Sequence, residues 1–238
     1  MIRFEGVGKR YATGREALVD ASFHVNPGEM VFLTGHSGAG KSTLLKLIAA
    51  IERPTRGEVI VGRQKISELG RAAVAPFRRH IGMVFQDHKL LYDRPVFDNV
   101  ALPLVVDGVP RREIDKRVRA ALDQVGLLGR ETGFPMELST GEQQRVGIAR
   151  AVVSRPPILI ADEPTGNLDP DLAIDVMGIF QRFHGVGTTV VIATHDVHLI
   201  ERFPVRRLHL GQGRVLRDEP PATDMGTAVD LTGGSHGG

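Results

Sequence analysis

A glycine-rich segment near the amino terminus combines residue types that bind phosphate. Residues 35–42 read Gly-His-Ser-Gly-Ala-Gly-Lys-Ser and fit the pattern G-x-x-x-x-G-K-[ST]. Glycines let the backbone curl so that N–H groups point at phosphate oxygens, while the lysine ammonium and the serine hydroxyl suit terminal phosphates and Mg²⁺. A glycine-rich turn with a surface lysine is the alternative, but it does not explain the apolar run before the segment and the helical run after it. The segment therefore predicts a nucleotide and magnesium site that contains Gly35, His36, Ser37, Gly38, Ala39, Gly40, Lys41, Ser42 and Thr43.

Two carboxylates follow another apolar run, Ile158–Ala161. Ligands of open α/β sheets bind outside the carboxyl ends of the strands, which is where Asp162 and Glu163 would lie. Asp162 suits the coordination of Mg²⁺, and Glu163 could orient or deprotonate a water that attacks the terminal phosphate. Taken alone, the pair is better explained as charges that end a strand. The phosphate-binding segment upstream makes the catalytic interpretation the stronger one.

Residues 138–145, which read Leu-Ser-Thr-Gly-Glu-Gln-Gln-Arg, allow two explanations. Ser139 and Glu142 have the spacing of a capping box at the start of a helix, which needs no ligand. The cap explains neither Gly141 nor the Gln-Gln-Arg run, and a capped helix start is itself an anion site. The segment resembles the signature sequence of ABC ATPases, whose serine and glycine contact the γ-phosphate of ATP held by a second subunit.

The resemblance to the ABC cassette continues in order along nearly the whole chain. It implies hydrolysis of ATP by a homodimer that forms when ATP binds, with Mg²⁺ as cofactor, an integral membrane protein as partner and no nucleic acid. It gives Glu163 the role of catalytic base and places Ser42 and Asp162 at the magnesium ion. Ser139 and Gly141 are expected to contact the ATP of the other subunit.

Four further site residues come from this resemblance. Gln86 resembles the glutamine that touches Mg²⁺ and links the helical insert to the core, and we assign it to both the catalytic and the metal site. Asp169, in residues 166–169, resembles the loop at the dimer contact. His195 resembles the histidine that contacts the γ-phosphate. Tyr11 matches the aromatic residue that stacks on adenine, although a half-buried strand tyrosine remains an alternative.

One residue departs from the family pattern. The signature commonly has Gly-Gly after its serine, whereas the first of these positions is Thr140. A β-branched residue cannot adopt glycine-only backbone angles and narrows the approach to a phosphate. If the position is helical, threonine should fit at modest cost, so its contribution to the site is left open.

Within the family, His36, residues 86–91 and residues 141–153 look most like the cassettes of bacterial cell division. That resemblance implies a peripheral protein on the cytoplasmic face of the inner membrane at the division site, which helps to control peptidoglycan hydrolysis. Lipoprotein-release and macrolide-export cassettes share residues 161–169 so closely that this stretch does not separate them. Two rival functions use the same nucleotide motifs: a nucleotide-clamped structural tether with little turnover, and a soluble ABC ATPase of translation or DNA maintenance.

These residues must be positioned by a mostly parallel α/β sheet. Short β-branched runs predict buried strands separated by helices, at residues 30–35, 81–85, 158–162 and 188–194. Alternating residues at 2–7 and 18–25 predict an antiparallel β subdomain, and the stretch 87–156 predicts an inserted helical subdomain. The expected fold class is an α/β P-loop NTPase of the ABC cassette type.

The composition of the chain indicates its domain limits and excludes several kinds of site. We expect one ATPase domain over residues 1–217, with a core of 1–86 and 157–217, and a disordered tail over 218–238. A net charge of only +2 argues against binding of nucleic acid driven by charge, and the absence of cysteine excludes disulfides, thiolate metal sites and cysteine nucleophiles.

Contact with a membrane is expected through a partner, because no apolar run approaches the ~20 residues of a membrane helix. The predicted contact lies near Gln86 on the helical insert, and ordinary core packing is an equal explanation for its apolar residues. These are Leu90, Leu91, Tyr92, Val96 and Phe97.

Overall fold

The computed structural model describes residues 1–221, which form two β-sheets, seven α-helices and two short 3-10 helices, Ile66–Glu68 and Pro135–Glu137. The elements follow in the order β1 (Ile2–Arg10), β2 (Glu16–Val25), β3 (Met30–Thr34), α1 (Lys41–Ile48), β4 (Arg56–Val61), β5 (Gln64–Lys65), α2 (Arg71–Arg78), β6 (Ile81–Val84), α3 (Val96–Val106), α4 (Arg111–Gln124), α5 (Thr140–Val152), β7 (Ile158–Asp162), α6 (Pro170–Gly185), β8 (Thr189–Ala193), α7 (Val197–Arg202), β9 (Arg206–Gly211) and β10 (Arg214–Glu219).

The larger sheet has six strands in the order β10-β9-β3-β8-β7-β6. All neighbours are parallel except the β9–β10 hairpin. Strands β3 and β8 are buried at every position, because helices and the second sheet cover both faces. The mostly parallel core sheet predicted from the apolar runs is confirmed.

The smaller sheet is antiparallel and has the order β2-β1-β4-β5. Strand β1 pairs with β2 on one side and β4 on the other, as the alternating amino-terminal residues indicated for the first pair. Phe4 and Phe23 stack across this sheet with ring centroids 4.6 Å apart. Helix α1 packs between the two sheets in a hydrophobic core that includes Leu44, Leu45 and Ile48. This core fixes the start of α1 beneath the phosphate-binding loop.

Helices α3, α4 and α5 fill most of the stretch between β6 and β7, where the sequence predicted an inserted helical subdomain. They pack against the opposite face of the six-stranded sheet through a second core. Leu90 and Val96 are buried in that core, and Phe97 packs on its edge, so these three side chains serve packing. Leu91 and Tyr92 remain 39% and 50% exposed and stay candidates for a membrane partner.

The carboxyl-terminal limit of the domain needs a correction. The predicted tail began at residue 218, but β10 continues to Glu219. The guanidinium of Arg206 donates to both carboxylate oxygens of Asp218 at 2.7 Å, which holds the strand end in the sheet. The rest of the predicted tail, residues 222–238, lies outside the described residues. Within residues 1–221, no helix is both long enough and apolar enough to cross a membrane.

Candidate functional site

The phosphate-binding loop connects β3 to α1 and needs glycine at two positions. Gly35 has φ 135°, and a Cβ there would lie 2.2 Å from the carbonyl oxygen of Leu210. Gly40, which precedes α1, has φ 114°, and its Cβ would lie 2.7 Å from the carbonyl oxygen of Ala17. Both the left-handed backbone and the lack of space exclude a larger residue. The loop is therefore held in one shape at the amino terminus of α1.

Lys41 is buried at the first position of α1, with 7% of its surface exposed. Its ammonium donates to the carbonyl oxygens of Gly35 at 2.7 Å and His36 at 3.3 Å. The same nitrogen lies 3.4 Å from Oε1 of Glu163. A buried ammonium needs such compensation, and these contacts fix its position over the loop.

Ser42 links the loop to the end of β7. Its hydroxyl donates to Oδ1 of Asp162 at 3.0 Å. Burial raises the pKa of Asp162 above its ordinary value, against the smaller opposing effect of the Ser42 hydrogen bond. A cation would therefore stabilise the Asp162 carboxylate, and the Ser42 hydroxyl lies close enough to coordinate the same cation.

Glu163 turns away from Asp162 at the end of the strand. Its backbone has φ 48°, a left-handed conformation that is uncommon for a residue other than glycine, and its N–H donates to the carbonyl oxygen of Ala193 at 2.9 Å. The carboxylate lies 2.9 Å from Nδ1 of His195 through Oε2, and near Lys41 through Oε1. Backbone strain of this kind concentrates at functional sites. The strained turn brings Glu163, the predicted base, between Lys41 and His195, which was predicted to contact the γ-phosphate.

Lys41, Ser42, Glu163 and His195 border a cavity of about 640 Å³, whereas Asp162 lies outside its lining. Three of the residues around it were missed in the sequence: Thr13, Arg15 and Lys46. Lys46 lies one helical turn after Ser42 on α1, a spacing that could have revealed it. Thr13 and Arg15 lie in the turn after β1, and nothing in their spacing indicated a site. The full set around the cavity is Tyr11, Thr13, Arg15, Ser37, Gly38, Gly40, Lys41, Ser42, Thr43, Lys46, Gln86, Glu163 and His195.

Tyr11 lies at the rim of this cavity, just after β1. Its hydroxyl is 3.2 Å from the hydroxyl of Thr43, and the Lys9 ammonium lies 5.1 Å from the ring centroid. The residue is half-buried in a turn rather than within the strand. Its ring therefore borders the space in which a base attached to the loop-bound phosphates would lie.

The segment around Ser139 does not border the cavity. Ser139 caps α5: its hydroxyl accepts from the N–H of Glu142 at 3.3 Å, and its own N–H donates to the Glu142 carboxylate at 2.9 Å. Thr140 is the first residue of α5, so its backbone is helical and accommodates a threonine. Gly141 is buried, and a Cβ there would lie 2.1 Å from Cδ2 of Leu172. Any side chain at position 141 would therefore require the half-buried Leu172 side chain to shift, which the sequence did not reveal.

The remaining predicted residues also lie outside the cavity lining. Asp169 caps α6 by accepting from the N–H of Leu172 at 3.0 Å. His36 turns back on its own loop, with Nδ1 2.7 Å from the carbonyl oxygen of Ser37. Ala39 is buried and Gly35 faces Leu210, so both shape the loop rather than face the cavity.

The chain is similar to known proteins along almost its whole length. A family model described as ABC transporter matches residues 18–166. The cell division ATP-binding protein FtsE of Escherichia coli strain K12 is 56% identical over 215 residues, which cover 90% of this chain and 97% of the relative. The protein of the same name from Mycobacterium tuberculosis is 46% identical over 92% of this chain and 96% of the relative.

A solved structure described as the dimeric post-hydrolysis state of the ATP-binding cassette MJ0796, bound to ADP and Pi, has the same fold. It superposes with a TM-score of 0.85 at 34% sequence identity and covers 92% of this chain and 98% of that chain.

Proposed function

The chain belongs to the ABC transporter family of ATP-binding proteins, and from this premise we propose that it is the ATP-hydrolysing subunit of a membrane complex that acts in cell division. Its relatives named FtsE are 42–56% identical over 90–92% of the chain. The observation that carries the proposed catalysis is the position of Glu163, which lies between Lys41 and His195 beside the phosphate-binding loop.

ATP would be held by the loop and hydrolysed at the ends of β7 and β8. The backbone of residues 35–40 and Lys41 would bind the β- and γ-phosphates, and the triphosphate would compete with Glu163 for the ammonium. Glu163 would then accept a proton from the attacking water, with His195 hydrogen-bonded to Oε2 and fixing the carboxylate. Tyr11 would lie against adenine.

Magnesium suits the residues next to the loop. Ser42 and Asp162 are already hydrogen-bonded, and burial of Asp162 favours a compensating cation. Gln86 borders the same cavity. Within residues 1–221, no cluster of three or more His, Cys, Asp or Glu side chains is placed to hold a metal. Mg²⁺ does not require such a cluster, because it takes few protein ligands and several phosphate or water oxygens. When bound, Mg²⁺ would neutralise charge that develops on the phosphates.

A homodimer would complete the site. Ser139 and Gly141 are absent from the cavity lining of their own chain, although they have the sequence of the family signature. We propose that they face the γ-phosphate of ATP bound to another copy, with Asp169 close to the contact between the two. ATP would then favour the closed pair because only that pair completes its contacts.

The membrane partner is proposed to be a protein like FtsX, and the chain would lie on the cytoplasmic face of the membrane at the division site. Leu91 and Tyr92, which follow Gln86 in the chain, are exposed and available for this contact.

Isolation of the ATP-bound Glu163→Gln chain from membranes tests this assignment. We expect an FtsX-like protein to be recovered with it. Recovery of an exporter or a lipoprotein-release permease would instead overturn the proposed partner and the role in cell division. Complementation of a division defect by Glu163→Gln would instead favour a tether with little turnover.

A further inference from the structure

A second cavity, of about 710 Å³, lies far from the phosphate-binding loop, between the inserted helices and the core. Helix α4, the end of α5 and the end of α6 form its walls, and the loop before β7 forms its base. We call it the arginine groove. Its apolar surface is contributed by Val152, Val153, Pro156, Phe183 and Val186. Val186 is 81% exposed and extends the apolar lining of the groove to the surface.

Three arginines surround this apolar surface. Arg117 donates to Glu113 at 2.7 Å, and Arg182 donates to the carbonyl oxygen of Gln124 at 3.0 Å. Arg155 takes part in no ion pair within residues 1–221. Among the described residues, none that lines the groove is acidic, and the nearest acid in the helix, Glu113, is already paired. The groove therefore suits an occupant that carries both apolar side chains and carboxylates.

Residues 222–231 of the same chain have this composition. They read Ala-Thr-Asp-Met-Gly-Thr-Ala-Val-Asp-Leu, with acidic residues at Asp224 and Asp230 and apolar residues at Met225, Val229 and Leu231. After Arg217 the sequence contains no lysine or arginine. The charge of this segment is thus opposite to that of the groove.

The segment also begins close enough to reach the groove. Strand β10 ends at Glu219, which pairs with Arg207 near the start of β9, and Thr188, just before β8, lines the groove. Strands β9, β3 and β8 run parallel, so the end of β10 and the groove lie at the same edge of the sheet. Three strand spacings of about 4.8 Å separate β10 from β8, roughly 14 Å. Asp224 follows Glu219 by five residues, which span up to about 17 Å.

We propose that residues 222–231 bind in the arginine groove of their own chain. The aspartates pair with the arginines, and the apolar residues cover Phe183, Val186 and the end of α5. Because the walls of the groove come from both the inserted helices and the core, the bound segment ties the helix that begins at Ser139 to the core. This inference does not depend on the proposed function.

Cysteine crosslinking in the full chain tests the proposal without background, because the sequence contains no cysteine. One variant carries Ala228→Cys with Ala120→Cys, which places a thiol in the groove. The matched control carries Ala228→Cys with Asn26→Cys, an exposed site at the same sheet edge in the turn before β3, between β10 and the groove. We expect intramolecular crosslinking in the groove variant to be about fivefold faster or more, because binding raises the local concentration there above that of random collision.

Charge reversal identifies the cause of that preference. The double change Arg117→Glu and Arg155→Glu should abolish the faster crosslinking in the groove. Adding Asp224→Arg and Asp230→Arg to the same chain should restore it. Arg112→Glu with Arg119→Glu, the same charge change on α4 outside the groove, should leave it intact. Equal rates for Ala120→Cys and Asn26→Cys, or a preference that survives charge reversal, overturn the proposal. A product that links two chains overturns binding within one chain and makes a second copy the occupant.

Discussion

Two parts of the molecule carry the residues that the family uses for ATP, and they differ in how their polar groups are satisfied. The start of α1 and the ends of β7 and β8 bring together Lys41, Ser42, Asp162, Glu163 and His195, which are linked by hydrogen bonds and ion pairs. At the start of α5, the hydroxyl and N–H of Ser139 are satisfied within one turn by Glu142.

The difference separates residues that the tertiary fold brings together from residues whose proposed role requires a second chain. The strand-end residues are positioned by parallel strands and by the loop, so their arrangement is complete in one chain. The polar groups of Ser139 are hydrogen-bonded without a ligand, and neither Ser139 nor Gly141 borders the cavity. A role for them in hydrolysis therefore requires another copy of the protein to bring a bound nucleotide to them.

The largest effect is expected at the strand ends. Glu163→Gln keeps the shape of the side chain but removes the group that accepts the proton, so kcat should fall about 10²- to 10³-fold. ATP binding should persist, because the loop is unchanged. Steady-state hydrolysis and nucleotide affinity measure the two, with Glu68→Gln at an exposed position as control. Normal turnover would remove Glu163 from the catalytic role.

Ser139→Asp should change turnover without a large change in stability. Aspartate is a good N-cap, but its carboxylate would lie beside that of Glu142, so we expect the free energy of unfolding to fall by no more than about 2 kcal/mol. The added carboxylate would face the triphosphate of the other subunit, and hydrolysis should fall about tenfold or more. Ser139→Ala, which loses the cap, serves as the comparison. If Ser139→Asp hydrolyses ATP normally, the signature serine does not approach phosphate.

Gly141→Ala tests whether that glycine is needed for packing. Its Cβ would meet the far end of the Leu172 side chain, which is half-buried and can shift, so we expect a loss of about 1 kcal/mol in the free energy of unfolding. Leu172→Ala in the same chain should recover much of this loss, because it removes the colliding atoms. Denaturant unfolding of the single and double variants gives the coupling. Additive losses would mean that the two residues do not compete for this space.

The smallest effect concerns the charge of Asp162. Burial raises its pKa, so the folded protein disfavours the carboxylate relative to the unfolded chain. Asp162→Asn should therefore raise stability at pH 7 by no more than about 1 kcal/mol, allowing for partial exposure, when measured without nucleotide and Mg²⁺. The gain should shrink as the pH falls through the raised pKa towards the ordinary range of aspartate, because the acid is then protonated in both states. A gain that grows on acidification would contradict this cause.

The sequence was sufficient where local patterns determine the structure. The apolar runs predicted β3, β6, β7 and β8 to within about two residues, as boundary predictions usually allow. Because carboxyl ends of parallel strands meet at one edge, Asp162 and His195 could be expected near the loop.

The sequence was insufficient where distant segments meet. Arg206 reaches Asp218 through the β9–β10 hairpin, which places two residues of the predicted tail in the sheet. The contact between Gly141 and Leu172 joins residues 31 positions apart in the chain, and no local pattern encodes it. For Leu90, partner contact and core packing were equal explanations, because the helices that bury it lie further along the chain.

Mixing of two inactive variants tests the shared ATP site most directly. Lys41→Ala damages the phosphate-binding loop, and Ser139→Asp damages the signature segment, so each variant alone should hydrolyse little ATP. In a mixed pair, one site combines the intact loop of one chain with the intact signature of the other. Equal mixing should restore activity to about a quarter of the original rate, since half of the pairs are mixed and each has one intact site. A mixture no more active than the average of its two components would contradict a site formed between two chains.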